Sequence, residues 1–334
     1  MSRLALAVLT LLPLAAIAQT RGGEPVMSTA HFAFHSDFSM NLNDALTAAG
    51  TARRGRMPEL FREAPEEACF DQLTAGERAA WNRAVDFYAE IVAPARSTDR
   101  ERLIPRLDLA GIADDADWSN DDDRRHAVIT RAFRVAASPA YDRCRWSGQD
   151  ARNREWIAAA VALLERHGAT LGERLTMLYG KPWENLPFRV DVVETVGADG
   201  ANATNLEPPG VHILVASGTR ANGGAAALEV LFHEASHFLA SRDSPLVRAL
   251  DDALLEHGTS YRGDLTHASL FFITGDAVRR TYAAAGDRNY TPMLYALNLY
   301  TADFRDRLER AWSGYAGGRG SLAAGADSLV RSLR

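Results

Sequence analysis

The sequence has 334 residues and a formal net charge of −6 at pH 7, with arginines spread along the chain and no basic block. This charge pattern argues against nucleic acid as the main partner. The length suits one large domain or two smaller ones.

The first residues predict a cleaved export signal. Arg3 supplies a short positive region, residues 4–17 form an apolar run, and residues 16–18 provide a small-x-small cleavage site, so residues 1–18 should be removed. The apolar run is too short to span a membrane comfortably, and no other candidate span follows. With the signal removed, we expect an exported, soluble protein. The composition, rich in Ala and Arg and poor in Lys, indicates a bacterial source, so the protein should be periplasmic or secreted.

The chain has two cysteines, Cys69 and Cys144. In an oxidising compartment they can form a disulfide that closes the intervening segment into a loop. The alternative is two separate buried thiols, and we prefer the disulfide.

The hydrophobic spacing predicts mostly helices, with a strand near the N-terminus and two more before the centre of the chain. A capping box at Thr74–Glu77 starts one helix, which Pro94 should end. The Asp-rich stretch 114–123 lacks the Gly and Glu of an EF-hand and is predicted to be a loop. Strands are expected within residues 30–38 and at Phe188–Val192 and Val211–Val215; further helices are expected at Asn41–Ala49, Arg124–Ala137, Ala151–His167 (ending at Gly168), Glu173–Tyr179, Thr291–Leu299, Ala302–Trp312 and Ser321–Leu333.

The residues before the central motif predict a sheet edge. The segment Gly197–Gly210 is rich in Gly, Asn and Pro and is predicted to be a loop. The strand Val211–Val215 should then form the edge, where an extended peptide can pair with it. His212 either faces this cleft or is an ordinary exposed strand histidine.

The segment Ala227–Leu239 contains the pattern His-Glu-x-x-His in a predicted helix. His233 and His237 are four residues apart, so they project from one face of the helix and can bind one metal ion. Glu234 is not aimed with them but can reach a water bound to that ion. The buried stripe of the helix is formed by Leu228, Leu231, Phe232, Ala235, Phe238 and Leu239.

A catalytic zinc takes three protein ligands, and the sequence offers two candidates for the third. Glu256 follows His237 after eighteen residues, but it lies at the end of a helix that begins at Pro245 and ends before Gly258. His267 lies early in the next helix, with Asp264 or Thr266 as the N-cap. We favour His267 and keep Glu256 as the alternative.

The motif and its spacing to Glu256 resemble the gluzincin metallopeptidases, in particular the aminopeptidase N-like group, over residues 229–258. The Gly-x-Met-x-Asn element of that group is absent, which counts against aminopeptidase activity. Leu228-Glu229, the two motif histidines, His267-Ala268 and residues 271–276 are also similar to an uncharacterised family of exported bacterial zincin-like proteins, over much of the mature chain. This resemblance implies that His267 matters and brings no established activity with it.

Three further residues are assigned supporting roles. Tyr261 can place a phenol near a developing oxyanion. Glu229 shares a helix face with the motif histidines and can hydrogen-bond an imidazole, and Asp276 can do the same for His267. The alternative for Glu229 is a plain solvent-facing side chain, and Tyr261 is only one of nine tyrosines.

These observations predict an α+β, mostly helical protein with a small sheet beside the motif helix. We expect a mainly helical region over residues 19–185 and a zincin-like metal-binding catalytic region over residues 186–334. The predicted function is a hydrolase with one Zn²⁺, most simply a metallopeptidase in which Glu234 is the general base for zinc-activated water and a peptide or protein is the substrate. The alternative is a non-catalytic metal- or partner-binding exported protein on the same scaffold.

Overall fold

The computed structural model describes residues 24–55, 64–92, 121–184, 186–196, 200–206, 210–259 and 264–333. Several predictions fall outside these ranges: the export signal at residues 1–18, the helix end at Pro94 and the position of Tyr261. Of the Asp-rich stretch, only residues 121–123 are described, and they begin a helix.

A five-stranded mixed sheet lies at the centre of the structure. Its strands are β1 (Met27–Ser28), β2 (Phe32–His35), β3 (Phe188–Val193), β4 (Ala201–Leu206) and β5 (Gly210–Ala216), in the order β1-β2-β3-β5-β4. Strands β2, β3 and β5 are parallel, whereas β1 and β4 pair antiparallel at the two edges. The three strands predicted from alternating apolar residues are therefore confirmed.

The region between the two predicted central strands differs from the prediction. It contains strand β4, which pairs with β5 along its whole length. The sequence of this strand, Ala-Asn-Ala-Thr-Asn-Leu, has no strong apolar alternation. A polar composition is tolerated here because the strand lies at the edge of the sheet and has only one neighbouring strand. The predicted loop over Gly197–Gly210 is thus wrong in part, and the sheet edge is β4 rather than β5.

The first half of the described chain is helical. Asp37 caps the first helix by accepting a hydrogen bond from the Met40 amide. The predicted capping box at Thr74 starts the third helix. Two of them continue into π-helical turns, at Tyr88–Val92 and Asp142–Trp146. The helices are α1 (Phe38–Arg53), α2 (Ala64–Asp71), α3 (Ala75–Phe87), α4 (Asp121–Tyr141) and α5 (Ser147–Tyr179).

Helix α5 is longer than its sequence predicts. It runs through Gly168, which was expected to end it, and stops at Gly180 in the left-handed conformation with φ of 63°. Gly172 lies in contact with His31, where a Cβ atom would come within 2.5 Å of the imidazole. Gly172 inside the helix therefore allows close packing, whereas Gly180 ends the helix.

The second half continues with a 3₁₀ turn at Arg220–Asn222 and then six more helices among the described residues. Ser244, Thr301 and Ser321 each accept a hydrogen bond from a backbone amide and cap the helix that follows. The helices are α6 (Ala226–Leu239), α7 (Pro245–Glu256), α8 (Leu265–Ala284), α9 (Met293–Ala296), α10 (Ala302–Ala316) and α11 (Leu322–Arg331).

One large hydrophobic core packs between the sheet and helices α5, α6 and α8. Phe32 and Val190 from the sheet meet Leu171, Leu231 and Ile273 from the three helices, all fully buried. This core joins segments from both sides of residue 186. The motif helix is therefore held by the sheet and by helices that lie on both sides of it in the chain.

A second, smaller core forms among helices α1, α3 and α4. It contains Leu46, Val85 and Tyr141, which contact one another away from the motif helix. The predicted disulfide between Cys69 and Cys144 is confirmed, with the two Cα atoms 5.5 Å apart. It connects α2 to the π-helical turn that precedes α5.

Among the described residues, no helix combines the length and the hydropathy that crossing a membrane requires.

Candidate metal centre

Helix α6 is buried on most sides. The side chains from Ala227 to Ser236 are all buried, whereas His237 near the C-terminal end is exposed. Strands β4 and β5 pack against this helix, as do helices α5 and α8. The surroundings fix the orientation of the first motif histidine and leave the second accessible from solvent.

Three histidines meet at the C-terminal end of this helix. Nε2 of His233 lies 3.2 Å from Nε2 of His267, and one ring nitrogen of each of His233, His237 and His267 lies within 4.8 Å of the other two. The ring centroids are 5.1 to 5.2 Å apart. Two of the rings come from one turn of α6, and the third comes from α8.

Helix capping positions the third histidine. The Asp264 carboxylate accepts a hydrogen bond of 2.8 Å from the backbone amide of His267, so Asp264 is the N-cap of α8. His267 lies in the first turn of that helix, directly opposite the end of α6. Of the two N-caps proposed from the sequence, Asp264 is the correct one.

The cluster has the dimensions of a metal site. Tetrahedral zinc with Zn–N bonds of about 2.0 Å separates two ligand nitrogens by about 3.3 Å. The separation of 3.2 Å between His233 and His267 is close to this value, and His237 lies within the same small sphere. The three histidines therefore lie close enough to hold one metal ion.

The electrostatics favour neutral imidazoles, the form that binds metals. Burial lowers the pKa of His233 well below its usual value, and His237 and His267 lower it further. Burial of ring atoms and the neighbouring His267 also lower the pKa of His237, to about 4, although its side chain reaches solvent. His233 and His237 are thus unprotonated near neutral pH and offer nitrogens that can bind a metal.

An aromatic ring covers one side of the cluster. Phe271 stacks on His233 with centroids 4.0 Å apart and lies 4.8 Å from the His267 ring. Nε2 of His233 faces the cluster, whereas its Nδ1 is buried and has no hydrogen-bond partner in the part of the chain that the structure describes. This role of Phe271 was not predicted from the sequence, although its position four residues after His267 places both on one face of α8.

Glu234 follows His233, the first motif histidine, directly in α6. Its side chain is 7% exposed, and its carboxylate is not a member of the three-histidine cluster. Its position in the helix turns it about 100° away from His233, so its carboxylate is not directed at the same point as the two imidazoles. Its absence from the cluster agrees with the expectation that Glu234 is not aimed with the two histidines, whereas its reach to a metal-bound water stays a prediction.

The alternative third ligand lies elsewhere. Glu256 is the last residue of α7 and is exposed to solvent. It is not part of the cluster with His233 and His237, where His267 lies instead. Its place at the helix end agrees with the geometric objection drawn from Pro245 and Gly258.

The supporting roles assigned to two carboxylates are wrong. Glu229 accepts hydrogen bonds from the Tyr290 hydroxyl at 2.6 Å and from the Met293 amide at 3.1 Å, so it anchors the segment before α9 rather than an imidazole. It is fully buried, and burial raises its pKa to about 7. Asp276 pairs with Arg279 and Arg280 on its own helix instead of with His267.

His212 is neither exposed nor directed at the motif helix. It is 2% exposed, and its Nε2 lies 2.8 Å from the carboxylate of Asp191 on the adjacent strand β3. Arg189 donates two further hydrogen bonds to the same carboxylate. Hydrogen bonds from His212 and Arg189 lower the pKa of Asp191 to about 2 despite its burial. Both readings of His212 from the sequence are therefore incorrect.

The chain was also compared with known proteins. No family model matches it, and it has no match among curated proteins or among solved structures. The functional inference consequently depends on the geometry of the site.

Proposed function

We propose that this protein is a zinc-dependent hydrolase whose most suitable substrate is a peptide bond. The observation that carries the proposal is the convergence of His233, His237 and His267. Buried Glu234 lies in the same helix as the first two of these histidines. Three nitrogen ligands fit zinc and leave one coordination position for water or substrate. A purely structural site would normally be closed by a fourth protein ligand.

The chemistry divides between the ion and the chain. When bound, zinc would acidify a water molecule and polarise the carbonyl of the scissile bond. Glu234 would accept the proton of that water and return it to the leaving amine. His233 and His267 would fix the ion against the wall formed by Phe271, which excludes water from that side.

The sheet edge supports a peptide substrate. Strand β4 is the outermost strand of the sheet and packs against α6, the helix that carries His233 and His237. An extended peptide could add to this edge through backbone hydrogen bonds and run beside the metal centre. The edge thereby takes the place that the sequence analysis gave to β5.

The disulfide supports export of the protein. Disulfides persist in oxidising compartments such as the periplasm and the extracellular space. The Cys69–Cys144 bond agrees with the export signal expected at residues 1–18, and we propose a periplasmic or secreted location.

The test combines metal analysis with a substitution of the base. The purified mature protein should contain about one zinc per chain, and Glu234→Gln should keep that zinc while losing turnover of a peptide library by about 100-fold or more. Glu165→Gln, at an exposed position in α5, is the matched control and should keep both properties. Full activity in Glu234→Gln would reject the mechanism. Bound zinc without hydrolysis of any peptide by the unmodified protein would favour the non-catalytic alternative.

A further inference from the structure

We propose that an aromatic shelf formed by Phe271, Tyr300 and Phe304 binds an apolar or aromatic side chain of the substrate, with Tyr300 as the specificity-determining residue. The inference rests on the proposed function, because it assigns a subsite to the same metal centre. It names the chemical class of the side chain beside the reacting bond.

The shelf is continuous with the three histidines. Phe271 stacks on His233 at 4.0 Å, and its edge meets the Tyr300 ring at a centroid distance of 6.4 Å and an angle of 72°. Phe304 lies 5.4 Å beyond Tyr300. A side chain that leaves the metal centre along this line meets three aromatic rings in succession.

The shelf is also open to solvent. Tyr300 is 37% exposed, whereas Phe271 and Phe304 are half-buried. A ring that only completed the core would be covered more fully, as Trp312 and Tyr179 are. The exposed apolar surface next to a metal centre is where a ligand gains most from burial.

The backbone under Tyr300 is in an unfavourable conformation. Its φ is 60°, and that of Asn298 two residues earlier is 51°. The left-handed region costs a bulky residue about 1 kcal/mol or more, and glycine would adopt it freely. The backbone conformation at position 300 therefore favours glycine over tyrosine. We attribute the presence of tyrosine to the contacts that its ring makes.

Arg305 holds the strained turn in place. Its guanidinium donates to the carbonyl oxygens of Leu299 at 3.2 Å and Tyr300 at 2.7 Å. Thr301 caps helix α10 directly after the turn by accepting a hydrogen bond from the Phe304 amide. The backbone that carries the ring is thus held before any ligand arrives, which lowers the entropy lost on binding.

The experiment uses two zinc-binding hydroxamates, only one of which carries a phenyl ring at the end of its acyl chain. Acetohydroxamate and 3-phenylpropionohydroxamate are titrated into the zinc-loaded full-length protein by calorimetry. The phenyl probe should bind about tenfold more tightly, because the shelf removes part of its ring from water. Tyr300→Gly should abolish this preference, because it removes the aromatic contact with the phenyl ring. Its affinity for acetohydroxamate, which has no ring, should stay within about twofold of that of the unmodified protein.

The choice of variants separates folding from recognition. Glycine suits the positive φ at position 300, so Tyr300→Gly removes the ring without adding backbone strain. Tyr300→Phe should keep the preference, since the ring and not the hydroxyl makes the contact. Leu297→Ala, at a neighbouring residue that is 42% exposed, is the matched control and should also keep it.

The outcomes distinguish the inference from the function on which it rests. Equal affinities for the two probes in the unmodified protein, or an unchanged preference in Tyr300→Gly, would overturn the shelf while leaving the metal centre in place. If neither probe binds the zinc-loaded protein, the open coordination position is absent. The proposed function then fails, and the shelf fails with it.

Discussion

Nε2 of His233 lies 3.2 Å from Nε2 of His267, although 34 residues separate the two histidines in the chain. The connection through α7 returns the chain so that the first turn of α8 faces the last turn of α6. Asp264 fixes the start of α8 by accepting the His267 amide, and so sets the position of the third histidine. The third imidazole brings the cluster to the number of ligands that a catalytic metal site needs, which two helix histidines alone do not provide.

The third ligand can be identified by substitution. We expect His267→Ala to lower zinc affinity by about 100-fold or more, because it removes one of the three nitrogens, whereas Glu256→Ala should keep its zinc. Zinc per chain after dialysis against a weak chelator is the measurement. His257→Ala is the control, since His257 pairs with Asp327 outside the cluster. Loss of zinc in Glu256→Ala alone would reverse the assignment.

Glu229 should stabilise the fold without taking part in metal binding. Glu229→Ala leaves the Tyr290 hydroxyl and the Met293 amide without their acceptor, which should lower the free energy of unfolding by about 2–4 kcal/mol. Glu229→Gln preserves an acceptor oxygen and should cost about 1 kcal/mol. Urea unfolding measures both, and zinc analysis should show an unchanged metal content in Glu229→Gln. Selective zinc loss in that variant would instead restore a direct role beside the histidines.

Asp44 should make stability depend on pH. Its carboxylate accepts hydrogen bonds from the Thr195 amide and hydroxyl, and burial raises its pKa from 3.8 to about 7, with Glu194 raising it and Arg145 lowering it. A raised folded-state pKa gives a stabilisation that is complete below pH 4 and is lost as the pH rises to 7. The neutral variant Asp44→Asn should therefore gain stability relative to the unmodified protein over this range, by at most about 4 kcal/mol.

Urea unfolding at several pH values between 4 and 8 measures this difference. Asp71→Asn, at an exposed position, controls for the loss of one carboxyl group. A difference between Asp44→Asn and the unmodified protein that stays constant with pH would show that Asp44 is ionised throughout.

The disulfide should stabilise the second core and leave the metal centre unaffected. Cys69 and Cys144 are separated by 75 residues, and closing a loop of this size stabilises a fold by about 2–4 kcal/mol, mainly through the unfolded state. We expect the double variant Cys69→Ser/Cys144→Ser to lose that amount in chemical unfolding and to keep its zinc, because the histidines contact the large core instead. Zinc loss in this variant would show that the two cores are coupled more strongly than their contacts indicate.

Local patterns were sufficient for a large part of the fold. Alternating apolar residues predicted β2, β3 and β5, and the capping box at Thr74 and the helix end at Tyr179 were also correct. The pattern failed at β4, whose polar residues suit an edge strand and resemble a loop. It also failed at Gly168, where glycine lies inside a long helix that tertiary packing stabilises.

For the site, the sequence by itself determined the two histidines and the glutamate of α6, because helical spacing fixes their relative directions whatever the surroundings. Only the tertiary structure decided that His267 and not Glu256 joins them, that Glu229 binds Tyr290, and that His212 binds Asp191. These contacts bridge elements distant in the chain. Their geometry depends on how helices and strands pack, and local propensity carries no information about that packing.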